Sequence, residues 1–155
     1  MEEISPNNIL EVSHISASYQ EGKQRKTVLH DISFELHENE ILGLVGESGC
    51  GKSTILSLIA GLIQPNSGKI AVSAEIGYML QKDHLFEWRT IYKNVILGLE
   101  IQNRMTEKNL EHVEQLLRDY GLDQFRNARP SELSGGMRQR AALIRTLALN
   151  PDLLL

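Results

Sequence analysis

The sequence predicts an α/β fold in which antiparallel strands come first and helices follow. Residues 9–19 and 28–36 alternate apolar and polar side chains, which is typical of strands with one buried face. Residues 41–45 form a continuous apolar run, as expected for a strand that is covered on both faces. A glycine-rich segment then separates this run from helical spacing over residues 52–62.

The rest of the chain alternates between helical and extended patterns. The predicted helices are residues 90–101, 106–120 and 135–149. The other predicted strands are residues 75–80 and 153–155, and turns are expected at residues 20–26, 38–40 and 65–68. The helix over residues 106–120 has the clearest amphipathic pattern, with Thr106 as its N-cap and Gly121 as its C′ residue.

Length and composition limit the class of protein. The 155 residues suit one domain, and 16 basic against 20 acidic residues give a net charge of -4. This balance argues against a broad nucleic-acid footprint, which needs clustered Lys and Arg. The single cysteine allows no intrachain disulfide, and the five histidines have no metal-ligand spacing. Because no apolar stretch reaches the ~20 residues of a spanning helix, a membrane role is expected to come through a partner.

Residues 46–54 match the Gly-x-x-x-x-Gly-Lys-Ser pattern of a phosphate-binding loop between a strand and a helix. The glycines let backbone N–H groups point at phosphate oxygens, and the helix N-terminus adds a favourable dipole. Lys52 is expected to reach the β- and γ-phosphates, Ser53 to bind Mg²⁺ and Thr54 to add a phosphate hydrogen bond. The alternatives are a glycine-rich turn with an exposed lysine and, at Cys50, a reactive thiol in place of a spacer. The predicted nucleotide-binding residues of the loop are Gly46, Glu47, Ser48, Gly49, Cys50, Gly51, Lys52, Ser53 and Thr54.

Residues 133–140, Leu-Ser-Gly-Gly-Met-Arg-Gln-Arg, lie about 80 residues after this loop. Together the two segments resemble the motifs of ATP-binding-cassette (ABC) ATPases, over nearly the whole chain. The resemblance implies a P-loop NTPase core with an N-terminal antiparallel β-subdomain and a helical subdomain. It also implies that Ser134, Gly135 and Gly136 contact the γ-phosphate of a nucleotide held by a second subunit, in a head-to-tail dimer around two ATP molecules. The alternative is Ser134 as a simple N-cap followed by a flexible turn.

Two further positions match motifs of the family. Gln81 follows the predicted strand over residues 75–80 and resembles the Q-loop glutamine, which contacts Mg²⁺ and the surroundings of the attacking water. Tyr19 matches the aromatic residue that stacks on adenine. The alternatives are an ordinary polar residue after a strand and a strand tyrosine that packs on its neighbours. The resemblance thus assigns catalysis to Lys52 and Gln81 and the metal to Ser53 and Gln81, with ATP and Mg²⁺ as cofactors.

Residues 84–90 match the segment through which family members meet a membrane partner. Phe86 and Trp88 suit an exposed anchoring patch, and core packing is the alternative. The segment is similar to that of the nitrate, sulfonate and taurine importers, although Phe86-Glu87-Trp88 stands where that group often has Leu-Pro-Trp. The resemblance implies the ATP-binding subunit of an importer of a small anionic or organic solute, peripheral on the cytoplasmic face of a bacterial membrane. The implied partners are a second nucleotide-binding subunit, transmembrane permease subunits and, indirectly, a solute-binding protein.

The resemblance also divides residues 1–155 into consecutive parts. These are a β-subdomain with the strand into the P-loop (9–45), a core (46–81), a Q-loop and helical subdomain (82–134), and the signature helix with the next strand (135–155). Family members continue into an acidic pair that contains the catalytic Glu, so the chain is expected to be an N-terminal fragment that binds ATP with little hydrolysis. Two other functions stay open: a soluble cassette ATPase acting on nucleic acid or ribosomes, and a nucleotide-binding module without catalysis.

Overall fold

The computed structural model of the protein describes residues 8–22 and 24–155. These residues form two compact units. The first contains the described residues up to Glu75, and the second comprises Ile76–Leu154. Among the described residues, none of the helices has the length and apolar character needed to cross a membrane.

A three-stranded antiparallel sheet forms most of the first unit. Its strands are β1 (Asn8–Glu21), β2 (Gln24–His37) and β3 (Ser67–Val72), in the order β2-β1-β3. The two strands predicted at residues 9–19 and 28–36 are therefore confirmed, and both are longer than predicted. The strand β3 is missing from the sequence prediction, because the turn residues at 65–68 obscure the short apolar alternation that follows them.

Paired bulges interrupt β1 and β2 opposite each other. His14 and Asp31 both have φ of 51°, and the strand register shifts between Val12 and Ile15. The His14 N–H donates to Ser33 Oγ at 2.8 Å, and His14 Nδ1 lies 2.6 Å from Asp31 Oδ1. The extra residue changes the phase of the strand, since the buried side chains are Leu10 and Val12 before the bulge but Ile15 and Ala17 after it.

Gly68 allows β3 to approach the bulge closely. Its φ is 86°, and a Cβ atom at this position would overlap the carbonyl groups of Ser13 and His14. Only glycine combines this backbone conformation with this spacing. The bulge in β1 and the glycine in β3 are therefore matched features of the sheet.

Residues 41–45 are irregular, so the buried strand predicted there is wrong for this structure. Ile41 and Val45 are 97% and 96% exposed. A continuous apolar run forms a buried strand only where neighbouring strands and helices cover both of its faces. Of the strands that the structure describes, none pairs with this segment.

Helix α1 (Lys52–Ile59) begins where predicted but ends three residues earlier than the predicted Leu62. Ile55, Leu58 and Ile59 are buried as expected, whereas Leu62 is 63% exposed. A Schellman motif ends the helix, because Gly61 has φ of 70° and its N–H donates to Leu58 O at 3.0 Å. The Leu62 N–H completes the motif by donating to Ser57 O at 2.9 Å.

The second unit combines four α-helices and two short 3₁₀-helices, Asp123–Phe125 and Pro130–Glu132, with a two-stranded parallel sheet. The α-helices are α2 (Ile91–Val95), α3 (Leu97–Ile101), α4 (Glu107–Asp119) and α5 (Gly135–Leu147). The strands β4 (Ile76–Gly77) and β5 (Leu153–Leu154) pair in parallel, so strand structure is confirmed at both sites, although β4 is shorter than the predicted 75–80. The single helix predicted over residues 90–101 is divided at Ile96.

The predicted caps of α4 are confirmed. The Thr106 side chain accepts a hydrogen bond from Asn109 N, and Gly121 adopts φ of 66° after the last turn. The apolar face of this helix and the facing sides of the other three form one core, which positions the first turn of α5. The central buried side chains are Ile91, Val95, Leu99, Val113, Leu117, Leu122, Ala141 and Ile144.

Candidate functional site

The glycine-rich loop at residues 46–54 leads into α1 through a tight turn. Gly49 and Gly51 have φ of 82° and 102°, and the Cys50 N–H donates to Glu47 O at 3.3 Å. A Cβ atom on Gly51 would lie 2.7 Å from Leu29 Cδ2. Glycine is therefore required at residue 51 both by the backbone conformation and by the close approach of β2.

The Lys52 ammonium lies within the curve of this loop. Its Nζ donates to Gly46 O at 2.8 Å and to Glu47 O at 2.7 Å, and it lies 3.5 Å from Cys50 Sγ. The loop backbone thus holds a positive charge beside the start of α1. A phosphate group bound here would find this ammonium already at the loop, with three N–H donors that can reorient.

The N-terminus of α1 is open to an anion. Its N-cap is Gly51, which makes no side-chain capping hydrogen bond, so backbone N–H groups of the first turn have no side-chain acceptor there. Ser53 is exposed on this turn. Mg²⁺ prefers oxygen ligands and is commonly held by one or two protein groups together with substrate phosphates. The donor set of N–H groups, an ammonium and a hydroxyl therefore fits a magnesium-bound phosphate chain.

Tyr19 lies beside the same loop. Its hydroxyl donates to Thr54 Oγ1 at 3.4 Å, and 46% of the residue is exposed. The first unit therefore brings Tyr19 together with the predicted phosphate-binding residues. The loop residues Glu47, Ser48, Gly49 and Cys50 are all exposed.

The other predicted site residues belong to the second unit. Gln81 is exposed in the irregular segment that follows β4. Ser134 is the N-cap of α5, and its hydroxyl accepts a hydrogen bond from Met137 N at 3.4 Å. Gly135 and Gly136 are exposed, and a Cβ atom on either would meet nothing within 4 Å. Packing within the described part of the unit does not explain these two glycines, and the helix start is accessible from outside.

An exposed aromatic pair lies in residues 83–89, here called the aromatic loop. The ring centroids of Phe86 and Trp88 are 4.7 Å apart and the rings are tilted by 43°. Trp88 is 72% exposed, so the alternative that it packs in a core is wrong. Phe86 is half-buried and packs against the Trp88 ring.

Asn94 holds the aromatic loop from within the helical core. The residue is fully buried, and its Oδ1 accepts from Phe86 N at 2.7 Å. Its Nδ2 donates to Phe86 O at 3.1 Å and to Thr90 O at 3.0 Å. The motifs of the sequence do not point to this residue, although a polar side chain on the buried face of a helix, between Ile91 and Val95, is a signal for such a function.

Two arginines of α5 also contact the aromatic loop. Arg138 Nε and Nη2 lie 2.9 Å and 3.1 Å from the two Asp83 oxygens, and Nη2 lies 2.9 Å from Glu87 Oε1. Arg145 donates to Asp83 O at 2.7 Å and to His84 O at 2.8 Å. Neither set of contacts could be predicted from local sequence patterns, since the contacts join residues more than 50 positions apart.

These contacts shift the ionisation of the groups that make them. The hydrogen bonds from Arg138 hold the pKa of Asp83 below its usual range, and the Leu85 N–H adds to the effect. The same pairing raises the pKa of Arg138. Burial lowers the pKa of Arg145, and the negative charge of Asp83 opposes this shift. Asp83 is therefore a carboxylate at neutral pH.

The comparisons of this chain with protein families and with curated proteins agree with each other. The family model described as "ABC transporter" matches residues 29–155. The chain is 45% identical to the uncharacterised ABC transporter ATP-binding protein YtlC of Bacillus subtilis (strain 168), over 96% of this chain and 60% of that protein. It is 40% identical to the taurine import ATP-binding protein TauB of Rhizobium johnstonii, over 95% of this chain and 60% of that protein. The chain thus spans about three fifths of the length of these curated relatives.

A solved structure has the same fold over nearly the whole chain. It is the dimeric, post-hydrolysis state of the ATP-binding cassette MJ0796 bound to ADP and Pi. The TM-score is 0.84 at 27% identity, covering 94% of this chain and 72% of that one. The antiparallel sheet, the glycine-rich loop before α1 and the helical second unit are consistent with this fold.

Proposed function

Because the chain belongs to the ABC transporter ATP-binding family, we propose that it forms the nucleotide-binding part of the ATP-hydrolysing subunit of a membrane importer. A small anionic or organic solute is the proposed cargo, since relatives include proteins named for taurine import and for sulfate and thiosulfate import. The subunit is proposed to lie on the cytoplasmic face of the membrane and to energise permease subunits.

The observation that carries this proposal is the position of Lys52. Its ammonium already lies inside the loop, on the carbonyl oxygens of Gly46 and Glu47. A β- or γ-phosphate entering the loop exchanges these neutral acceptors for an anionic one, which forms stronger, charge-assisted hydrogen bonds. The backbone N–H groups of the loop and of the first turn of α1 supply further donors, and Thr54 adds a hydroxyl.

Ser53 and Gln81 are the proposed holders of Mg²⁺, through a hydroxyl and an amide oxygen. An ion held by these residues would supply positive charge that offsets the negative charge developing on the phosphoryl group. Tyr19 is proposed to stack on the adenine with its exposed ring face, while its hydroxyl stays directed at Thr54. Lys52 and Gln81 are the proposed catalytic residues of this chain.

The start of α5 is the proposed contact with a second nucleotide-binding subunit. Ser134, Gly135 and Gly136 present a hydroxyl and unhindered backbone N–H groups at the N-terminus of a 13-residue helix. This arrangement suits the terminal phosphate of a nucleotide held by another copy in a head-to-tail homodimer. The dimeric state of a structural neighbour supports this proposal.

Phe86 and Trp88 are proposed to contact the permease. An exposed tryptophan with an aromatic neighbour is typical of the anchoring residues that dominate protein–protein interfaces. A photocrosslinking residue in place of Trp88, in the full-length protein in cells, is expected to capture an integral membrane protein. Capture of ribosomal proteins or nucleic acid instead would favour a soluble cassette ATPase.

Nucleotide binding is tested by calorimetric titration of ATP with Mg²⁺ into the full-length protein. Lys52→Ala is expected to weaken ATP binding about tenfold or more, since it removes the charged donor from the phosphates. Lys108→Ala is the matched control, because Lys108 is an exposed lysine of α4 that does not belong to the phosphate-binding motif. Equal affinities of the two variants would refute the proposed site.

A further inference from the structure

The first turn of α5 contains both Ser134, the proposed nucleotide contact, and Arg138, which contacts the aromatic loop. Ser134 begins the helix, and Arg138 follows one turn later, its N–H donating to Ser134 O at 2.9 Å. The Arg138 guanidinium then extends to the aromatic loop. One helical turn therefore separates the proposed nucleotide contact from an arginine that holds the segment bearing Phe86 and Trp88.

The attachment of Arg138 differs from those that Arg145 and Asn94 make with this loop, while Arg89, at the end of the loop, pairs with Glu100 of α3 at 2.6 Å. Arg145 and Asn94 contact only backbone groups, at Asp83, His84, Phe86, Arg89 and Thr90. Arg138 instead joins two side chains on either side of Phe86, because it forms a fork with Asp83 and a second contact with Glu87. It therefore spans Phe86, whose ring contacts Trp88, and joins this part of the aromatic loop to the first turn of α5.

This spanning contact is well shielded for a surface ion pair. The side chains of Arg138 and Asp83 are 26% and 19% exposed, and Arg138 also donates to Pro130 O at 3.4 Å. The planar guanidinium with two parallel N–H donors fixes direction as well as distance, which a lysine ammonium at this position could not do. Glu87, at 53% exposed, adds a weaker contact.

We propose that Arg138 is a positioning residue for the aromatic pair, tying Phe86 and Trp88 to the helix turn that begins at Ser134. The two proposed contact surfaces of this unit then move together. If binding at one surface favours a particular position of the turn, it changes the binding free energy at the other surface. The effect is equal in the opposite direction, because such coupling is reciprocal. This inference rests on the proposed docking role of Phe86 and Trp88 for its biological meaning, but the tether itself is independent of it.

The tether is tested by hydrogen exchange in the full-length protein. Arg138→Gln is expected to make the Leu85 and Phe86 amides exchange about tenfold faster, since the Asp83 carboxylate that accepts from Leu85 N loses its anchor. Arg118→Gln, on the exposed end of α4, is the matched control and is expected to leave these amides unchanged. Arg138→Lys is expected to fall between them, and it replaces Arg138→Gln if that variant does not fold.

A spectroscopic signature separates positioning from a general loss of stability. In protein labelled with 5-fluorotryptophan, the Trp88 ¹⁹F resonance is assigned as the one lost in Trp88→Phe. Arg138→Gln is expected to shift it, and the charge exchange Asp83→Arg with Arg138→Asp is expected to return it toward the wild-type position. An unchanged resonance and unchanged amide exchange in Arg138→Gln would overturn the tether.

Two further outcomes separate this inference from the proposed function. With purified permease, Arg138→Gln is expected to weaken association about tenfold while ATP affinity of the isolated subunit stays the same. If Trp88→Ala leaves permease association intact but Arg138→Gln still shifts the Trp88 resonance, the docking proposal fails and the tether stands. If Trp88→Ala abolishes association and Arg138→Gln changes neither permease association nor the Trp88 resonance, the tether fails and docking stands.

Discussion

Asn94 brackets Phe86, accepting from its N–H at 2.7 Å and donating to its C=O at 3.1 Å. One fully buried amide thus satisfies both backbone groups of the residue that supports Trp88. The Asn94 side chain thus makes the backbone hydrogen bonds that a neighbouring strand would make to a residue in a sheet. The position of the aromatic pair consequently depends on the helical core, although the pair itself lies at the surface.

Asn94→Leu is expected to lower the free energy of unfolding by about 2 kcal/mol, because similar volume is kept while the Phe86 N–H is left buried without its acceptor. Urea denaturation of the full-length protein measures this change. Asn127→Leu is the control, since Asn127 is exposed, and it is expected to change stability by less than about 0.5 kcal/mol. Equal stability of the two variants would contradict the bracket.

Gly51→Ala is expected to destabilise the protein by about 2 kcal/mol and to weaken ATP binding. The residue has φ of 102°, and the added Cβ would lie 2.7 Å from Leu29 Cδ2, so strain and overlap act together. Thermal unfolding and ATP titration measure the two effects. For stability, the comparison is Gly135→Ala, where a Cβ meets nothing within 4 Å and no loss is expected. A wild-type melting temperature for Gly51→Ala would count against this loop geometry.

The proposed role of Tyr19 predicts a difference between ligands. Tyr19→Ala is expected to weaken ATP binding roughly three- to tenfold through loss of the stacking surface, whereas binding of inorganic triphosphate stays the same. Tyr19→Phe keeps the ring and loses only the 3.4 Å hydrogen bond to Thr54, so a change of less than about twofold is expected. Competition titrations with both ligands provide the measurement. If Tyr19→Ala weakened the binding of both ligands equally, the substitution would act through the phosphate loop and not through contact with the adenine base.

The pairing of Asp83 with Arg138 predicts a pH-dependent contribution to stability. The folded-state pKa of Asp83 lies below its ordinary value of 3.8, so the contribution is present above pH 3.8 and is lost as pH falls through the folded pKa. Asp83→Asn is expected to cost about 1 kcal/mol at neutral pH, with the difference from wild type shrinking below pH 3.8. Chemical denaturation across this range tests the sign. A difference that grows on acidification would contradict the ion pair.

Local patterns predicted much of the fold. The hairpin of β1 and β2, the caps at Thr106 and Gly121, and the start of α1 at Lys52 all follow from residues close in sequence. The strand at residues 41–45 could not be settled in this way, because an apolar run becomes a strand only when distant partners pair with it. The early end of α1 depends on a Schellman motif whose Gly61 was visible in the sequence but was not interpreted as a stop.

The candidate site was predictable to the extent that it follows contiguous motifs. The loop at residues 46–54 and the helix start at Ser134 have strong sequence patterns. Asp83, Asn94, Arg138 and Arg145 belong to no such pattern, since what they do depends on which residues the packed helices bring near. A polar residue on an apolar helix face was the one local indication, at Asn94.

The extra residue at His14 determines which side chain of β1 lies next to the phosphate loop. Beyond the bulge, Tyr19 shares its parity with Ile15 and Ala17, so it lies on the inner side of the strand, within reach of Thr54. Deleting His14 would turn the side chains that follow it to the opposite face of the sheet. Ser18 or Gln20 would then lie near Thr54 in place of Tyr19. A single-residue irregularity five positions away thus selects the residue proposed to stack on the base, and homologues of different length here would need a compensating shift to keep an aromatic ring at that place.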